Sequence, residues 1–260
     1  MKGITLLNYN FKGGVGKTTL TGMEGYILAS KGKKILLVDF DPQSNLTEMM
    51  FETYKKSPKP TTPFAKGLTN LDLTDSVVHL SNKMDIIPGD WNINDWPERV
   101  SNIARRKRWQ ILSHLLLPFK HDYDYILVDT PPTLNDIVKN AIFAADGISV
   151  VLQTQKMAYT SSLKTIQELV KYRRNYGAKF TFLGVVLYLF NKAKIDREII
   201  QKAKSTFSGA LYDNPIHYQE RVKGFTATGI KDRDYWDQRV LGSYSSITNE
   251  LLNKVRGMIE

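Results

Sequence analysis

Short apolar runs recur along the chain, and several end in a polar or acidic residue. They lie at residues 4–7, at 35–38 before Asp39, at 84–88, at 125–128 before Asp129, at 147–152, and at 180–190 before Asn191. The main runs are continuous rather than alternating, as expected of strands buried on both faces of a parallel sheet. Helix-compatible stretches separate them at 18–30, 98–117, 135–145, 160–176, 196–207 and 243–259. Strand and helix alternate throughout, which predicts an α/β fold: a doubly wound, mostly parallel sheet with helices on both faces.

Breaks in this pattern are few. Residues 53–70 include Tyr54-Lys55-Lys56-Ser57-Pro58-Lys59-Pro60-Thr61-Thr62-Pro63 and read as a mobile loop. The strand pattern resumes afterwards, so the loop marks no domain boundary, and residues 1–260 are taken as a single domain. Residues 208–241 are turn-rich, with Pro215, Gly224 and Gly229 among many charges. Arg105-Arg106-Lys107-Arg108 falls within the stretch 98–117 and is read as a solvated helix face.

The first strand and first helix are joined by Phe11-Lys12-Gly13-Gly14-Val15-Gly16-Lys17-Thr18-Thr19. Glycines let backbone N–H groups approach a phosphate chain with no Cβ in the way. A helix start adds free donors and a partial positive charge. Lys17 supplies a full charge, and Thr18 a hydroxyl for Mg²⁺. One position departs from the usual phosphate loop. Phe11 stands where the first glycine is expected, and Lys12 follows as a second lysine.

In open parallel sheets the ligand crevice lies beyond the carboxyl ends of the strands. Asp39, Asp41 and Asp129 fall there together with the glycine loop. Thr18 with Asp129, and Asp39 beside them, fit the hydroxyl and strand-end acids that hold Mg²⁺ against phosphates. Asp41, two residues past the strand end, has the reach to orient an attacking water.

Composition narrows the chemistry. There is no cysteine, which excludes disulfides, zinc thiolate sites, iron–sulfur clusters and cysteine nucleophiles. His79, His114, His121 and His217 are scattered without metal-ligand spacing. The first apolar run begins at residue 4, leaving no room for a signal peptide, and no later run is long enough to span a membrane; a cytoplasmic protein is expected. The net charge is +10 and uneven. Residues 1–150 carry 18 Lys+Arg against 16 Asp+Glu, whereas residues 151–260 carry 18 against 10. A basic surplus of this kind is a footprint for a polyanion.

Three motifs together, Lys12-Gly13-Gly14-Val15-Gly16-Lys17-Thr18-Thr19, Leu37-Val38-Asp39-Phe40-Asp41-Pro42-Gln43 and Tyr125-Ile126-Leu127-Val128-Asp129-Thr130-Pro131-Pro132, resemble the ParA family of partition ATPases. That family lies in the P-loop class with a deviant Walker A motif, which includes MinD. Weaker matches are Asp85-Ile86-Ile87-Pro88, Asn191, Asn214-Pro215-Ile216, Glu220-Arg221 and Gly229-Ile230. The resemblance implies an ATP-sandwich homodimer in which Lys12 reaches across to phosphates bound by the other subunit. It implies a catalytic set of Lys12, Lys17 and Asp41, with Asp129 near Mg²⁺. Gly13, Gly14, Val15, Gly16, Lys17 and Thr18 would cradle the phosphates, Thr19 would contact the α-phosphate, and Asn191 the adenine.

The resemblance also implies non-specific duplex DNA binding in the ATP state, hence association with the nucleoid. Weak hydrolysis would be stimulated by DNA and a centromere-binding, ParB-like partner. Contacts to DNA phosphates are expected in the basic C-terminal part, about residues 192–260, from Lys202, Lys204, Arg221, Lys223 and Lys231. No helix-turn-helix precedes the loop, so operator binding is not expected. A MinD-like membrane ATPase is the first alternative. Residues 251–260 are only mildly basic, hold no aromatic residue and end in Glu260, which favours a packed final helix and no membrane partner. The second is an ATP-dependent carboxylate ligase of the dethiobiotin synthetase type.

Overall fold

The computed structural model describes residues 3–154, 156–188 and 194–259. Seven strands form one sheet: β1 (Ile4–Tyr9), β2 (Ile35–Asp39), β3 (Val78–Ser81), β4 (Met84–Ile87), β5 (Tyr125–Asp129), β6 (Gly147–Gln153) and β7 (Thr181–Tyr188). Their order is β3-β4-β2-β5-β1-β6-β7. Every pairing is parallel except β3 with β4.

The continuous apolar runs are explained by the two cores. Leu7, Leu36, Val38, Ile126, Val128, Ile148 and Val150 point into one. Leu6, Ile35, Leu37, Leu127 and Val151 point into the other. Strand neighbours face opposite ways, so a strand covered on both faces is apolar at each position. The second core is closed by α1 (Lys17–Ser30), α2 (Asn45–Tyr54) and three C-terminal helices, α10 (Glu220–Lys223), α11 (Phe225–Thr228) and α12 (Tyr235–Ile259). The first core is closed by α3 (Phe64–Asn70), α4 (Trp96–Arg99), α6 (Ile111–Leu116), α7 (Asp136–Ala144), α8 (Lys156–Tyr176) and α9 (Lys194–Thr206). A single turn, α5 (Arg105–Arg108), sits at its edge.

Several expectations need correction. The stretch 98–117 is not one helix. It divides into α4, α5 and α6, because Ala104 is extended at φ −51° and ψ 130° and the chain turns to bury Trp96 and Trp109. Residues 53–70 are not all loop. α2 runs to Tyr54, and α3 begins at Phe64 with Phe64, Ala65 and Leu68 buried. The Pro/Lys stretch between them is tied down where Lys56 Nζ donates to Leu80 O at 2.7 Å and Thr62 N–H donates to Asp75 O at 2.9 Å. β3 was not foreseen. The final helix starts at Tyr235, eight residues before the expected 243, and the turn-rich region also contains α10 and α11.

Register completes the platform for the site. β2 and β5 pair so that Asp39 lies opposite Asp129. Both acids therefore reach the carboxyl edge of the sheet at one level, beside the loop that leaves β1.

Candidate functional site

The loop after β1 is held by the residue that precedes it. Asn10 is fully buried. Its Oδ1 accepts the Lys12 N–H at 2.9 Å, and its Nδ2 donates to Val151 O at 2.8 Å on β6. Gly14 has φ 71° and Gly16 φ 95°, both in the left-handed region. At Gly16 a side chain is excluded twice over, since a Cβ would lie 2.0 Å from Tyr188 Cε1. Gly16 leads directly into α1, whose first residue is Lys17.

Lys17 is 5% exposed, and its Nζ lies 3.4 Å from Lys12 O, to which it donates. Burial lowers its pKa, while the charges of Asp129 and Asp41 oppose that shift. Thr18 Oγ1 donates to Asp129 Oδ2 at 2.6 Å. Burial pushes Asp129 up to about 6, against the pull of Thr18 and Lys17. The other Asp129 oxygen, Oδ1, is buried and accepts no hydrogen bond. Val15 is fully buried and anchors the loop, while Thr19 lies among the residues that line the cleft.

Asp39 behaves differently from its neighbour. Its Oδ2 accepts from Thr47 N–H at 2.8 Å and Thr47 Oγ1 at 2.7 Å, and its Oδ1 from the Asp41 N–H at 3.3 Å. Burial, then the charge of Asp129, push its pKa up to about 8. Through these bonds Asp39 fixes the start of α2 and the backbone of Asp41. Asp41 accepts the Gln43 N–H at 2.9 Å and faces the loop across a cleft of about 450 Å³. Gly14, Lys17, Thr18, Asp41, Thr130 and Lys223 line that cleft.

The structure thus gathers Gly13, Gly14, Gly16, Lys17, Thr18, Thr19 and Asp41 around one cleft, with Asp129 bonded to Thr18 at its floor. Lys12 stands half-buried at the loop entry. Asn191 lies outside the described residues. The basic candidates separate. Lys202 and Lys204 are exposed on α9, and Lys231 is exposed before α12. Arg221 is committed to Asp234 at 2.8 Å and Asp237 at 2.6 Å, so its charge is already matched. Lys223 pairs with Glu220 at 3.6 Å on the cleft rim.

Sequence reasoning missed Asn10, Thr47 and Tyr188. The signal for Asn10 was a polar residue ending a buried strand just before the loop. Nothing local marks Tyr188, whose ring lies against Gly16 and whose hydroxyl bonds Tyr244 on α12 at 2.5 Å.

Known proteins resemble this chain in sequence and in fold. The family described as "AAA domain" matches residues 1–179. The chromosome-partitioning ATPase Soj of Treponema pallidum is 26% identical over 261 residues, covering 96% of this chain and 97% of that protein. The chromosome partitioning protein ParA of Caulobacter vibrioides is 27% identical over 252 residues, covering 95% and 93%. Among solved structures, McdA of Cyanothece in complex with ATP superposes with a TM-score of 0.83 at 24% identity, over 96% of each chain. Cobyrinic acid a,c-diamide synthase of Mycobacterium smegmatis, with an ATP analog and magnesium bound, gives 0.81 at 21% identity, over 98% and 96%. These two show a shared P-loop fold. The chain belongs to the AAA domain family and, within it, to the ParA family of partition ATPases.

Proposed function

We propose that the protein hydrolyses ATP to cycle on and off DNA as the motor of a partition system. The carrying observation is the convergence on one cleft of a buried Lys17, the Thr18–Asp129 pair and Asp41. Loop N–H groups and Lys17 would hold the phosphates. The Asp129 Oδ1 left without a donor suits the water shell of a hydrated cation. Thr18 and Asp129 would hold Mg²⁺, which supplies charge neutralisation at the phosphates when bound. Asp41, held through Asp39 and Gln43, would orient the attacking water.

Lys12 would complete the site of a second copy, so that ATP drives a sandwich dimer. The dimer would bind duplex DNA through phosphate contacts and leave it when a centromere-bound partner stimulates hydrolysis. The last helix supports this reading over a membrane-surface ATPase, because Val240, Tyr244, Ile247, Leu251 and Val255 of α12 are buried in the core. No helix among the described residues is long and apolar enough to cross a membrane.

The test is Asp41→Ala. The variant should bind ATP and stay on duplex DNA while phosphate release falls by about 100-fold or more. Normal hydrolysis would move water positioning elsewhere. Brisk turnover of the wild type with a small carboxylic acid, and none stimulated by DNA, would assign the site to a ligase.

A further inference from the structure

A second group of unpaired positive charges lies outside the basic C-terminal part, where α5 packs against α7 and the last turns of α8. Arg105, Arg106 and Lys107 are exposed and form no ion pair among the described residues. Arg108, Lys139 and Lys171 join Arg105 around a cleft of about 320 Å³ whose lining contains no acid. Arg174, three residues beyond Lys171 and so beside it on the helix, is also exposed. The nearest acids do not balance these charges. Asp136 is shared by Arg108 at 2.8 Å and Lys139 at 3.3 Å, and Glu168 meets Lys171 only at 3.5 Å.

This surface is rigid underneath. Trp109, 3% exposed, donates its indole N–H to Asp136 at 2.8 Å. Its ring lies edge-on to Tyr172 and Tyr176, with centroids 6.0 Å and 5.1 Å away. The aromatic side chains lock α5 to α7 and α8 and leave guanidinium and ammonium groups as the outer layer. A lipid surface or a protein hot spot calls for accessible aromatic groups, whereas in this cleft Trp109 and Tyr172 are buried and Tyr176 is half-buried. A phosphate backbone calls only for charge, and arginine forks match phosphate oxygens two at a time.

We infer that the α5–α7–α8 face is a phosphate-backbone contact surface for duplex DNA, separate from the C-terminal lysines. The inference rests on the proposed DNA-binding function and names a surface for it. It also gives Arg105-Arg106-Lys107 a role beyond a solvated face.

The experiment measures ATP-dependent binding to a random-sequence duplex across a salt series. It compares wild type with Arg105→Ala/Arg106→Ala/Lys107→Ala and with Lys171→Glu/Arg174→Glu, a second variant on a different helix. Both variants should keep wild-type melting and nucleotide binding. The triple variant should bind about 10-fold weaker or worse, and its log K against log salt slope should shrink by about 0.9 for each phosphate contact removed. Lys202→Ala/Lys204→Ala should add to the loss rather than replace it. If wild type binds DNA and both variants match it in affinity and slope, this surface is overturned and the proposed function stands. If wild type with ATP binds no duplex at any salt, the DNA reading itself fails and takes the surface with it. Binding of wild type to phosphatidylglycerol vesicles instead of DNA, lost in the triple variant, would hand the face to a membrane and overturn the inference.

Discussion

Burial raises the pKa of three interior acids, Glu24, Asp39 and Asp129, and they divide by what they touch. Asp129 meets Thr18 and feels the charge of Lys17, Asp39 meets Thr47, and Glu24 meets the Asn8 amide. Glu24 is 2% exposed on α1, and its Oε2 accepts from Asn8 Nδ2 at 2.6 Å. Burial pushes it up to about 8, with the Asn8 bond opposing. The folded chain therefore holds this proton more tightly than the unfolded chain. The resulting stability is full below the ordinary glutamate range and is lost as pH rises towards about 8. Glu24→Gln keeps the acceptor for Asn8 and removes the titration. The variant should match wild type near pH 5 and exceed it near pH 8–9 by at most a few kcal/mol. Urea midpoints across that range read the difference. Asp39 and Asp129 shift in the same direction, so some slope should remain in the variant.

At the scale of elements, the glycine loop and β7 share one volume. Gly16→Ala would combine a φ of 95° with a Cβ 2.0 Å from the Tyr188 ring. The expected loss is about 2 kcal/mol or more in stability, read by urea unfolding, with weaker nucleotide binding alongside. Tyr188→Leu in the same chain should relieve the clash but not the backbone cost. This pairing also shows which parts of the fold the sequence could express. β2, β5 and β6 were legible because burial on two faces leaves an unbroken apolar run. The loop was legible because phosphate binding dictates both residue type and spacing. β3 was not, since it is four residues long, includes exposed His79 and pairs antiparallel at an edge. The break within 98–117 was hidden because Trp109, Leu112 and Leu116 recur at spacings of three and four that a continuous helix would also show. In the site, Asp39 and Asp129 look alike in sequence as acids ending apolar runs. Only the position of Thr47 on α2 separates the structural acid from the one beside Thr18.

For the whole molecule, the proposed sharing of Lys12 between two copies makes a prediction about assembly. Lys17 serves its own chain's cleft, whereas Lys12 stands at the loop entry and contributes its backbone carbonyl to Lys17. Lys12→Ala should keep nucleotide binding within about 10-fold and remain monomeric with ATP, as light scattering would show. An ATP-dependent dimer in that variant would refute the shared-site arrangement. The two margins of the sheet bear on how copies can meet. On one side β3 reverses direction and is short. On the other, the segment after α9 is laid along β7, with Val185 N–H donating to Ala210 O, Tyr212 N–H to Val185 O and Ile216 N–H to Leu187 O. A long run of unpaired peptide groups would recruit any extended strand, at any time, without regard to nucleotide. With β7 covered from Val185 to Leu187 and β3 cut short, association by strand addition is suppressed, as a dimer formed only with ATP would require.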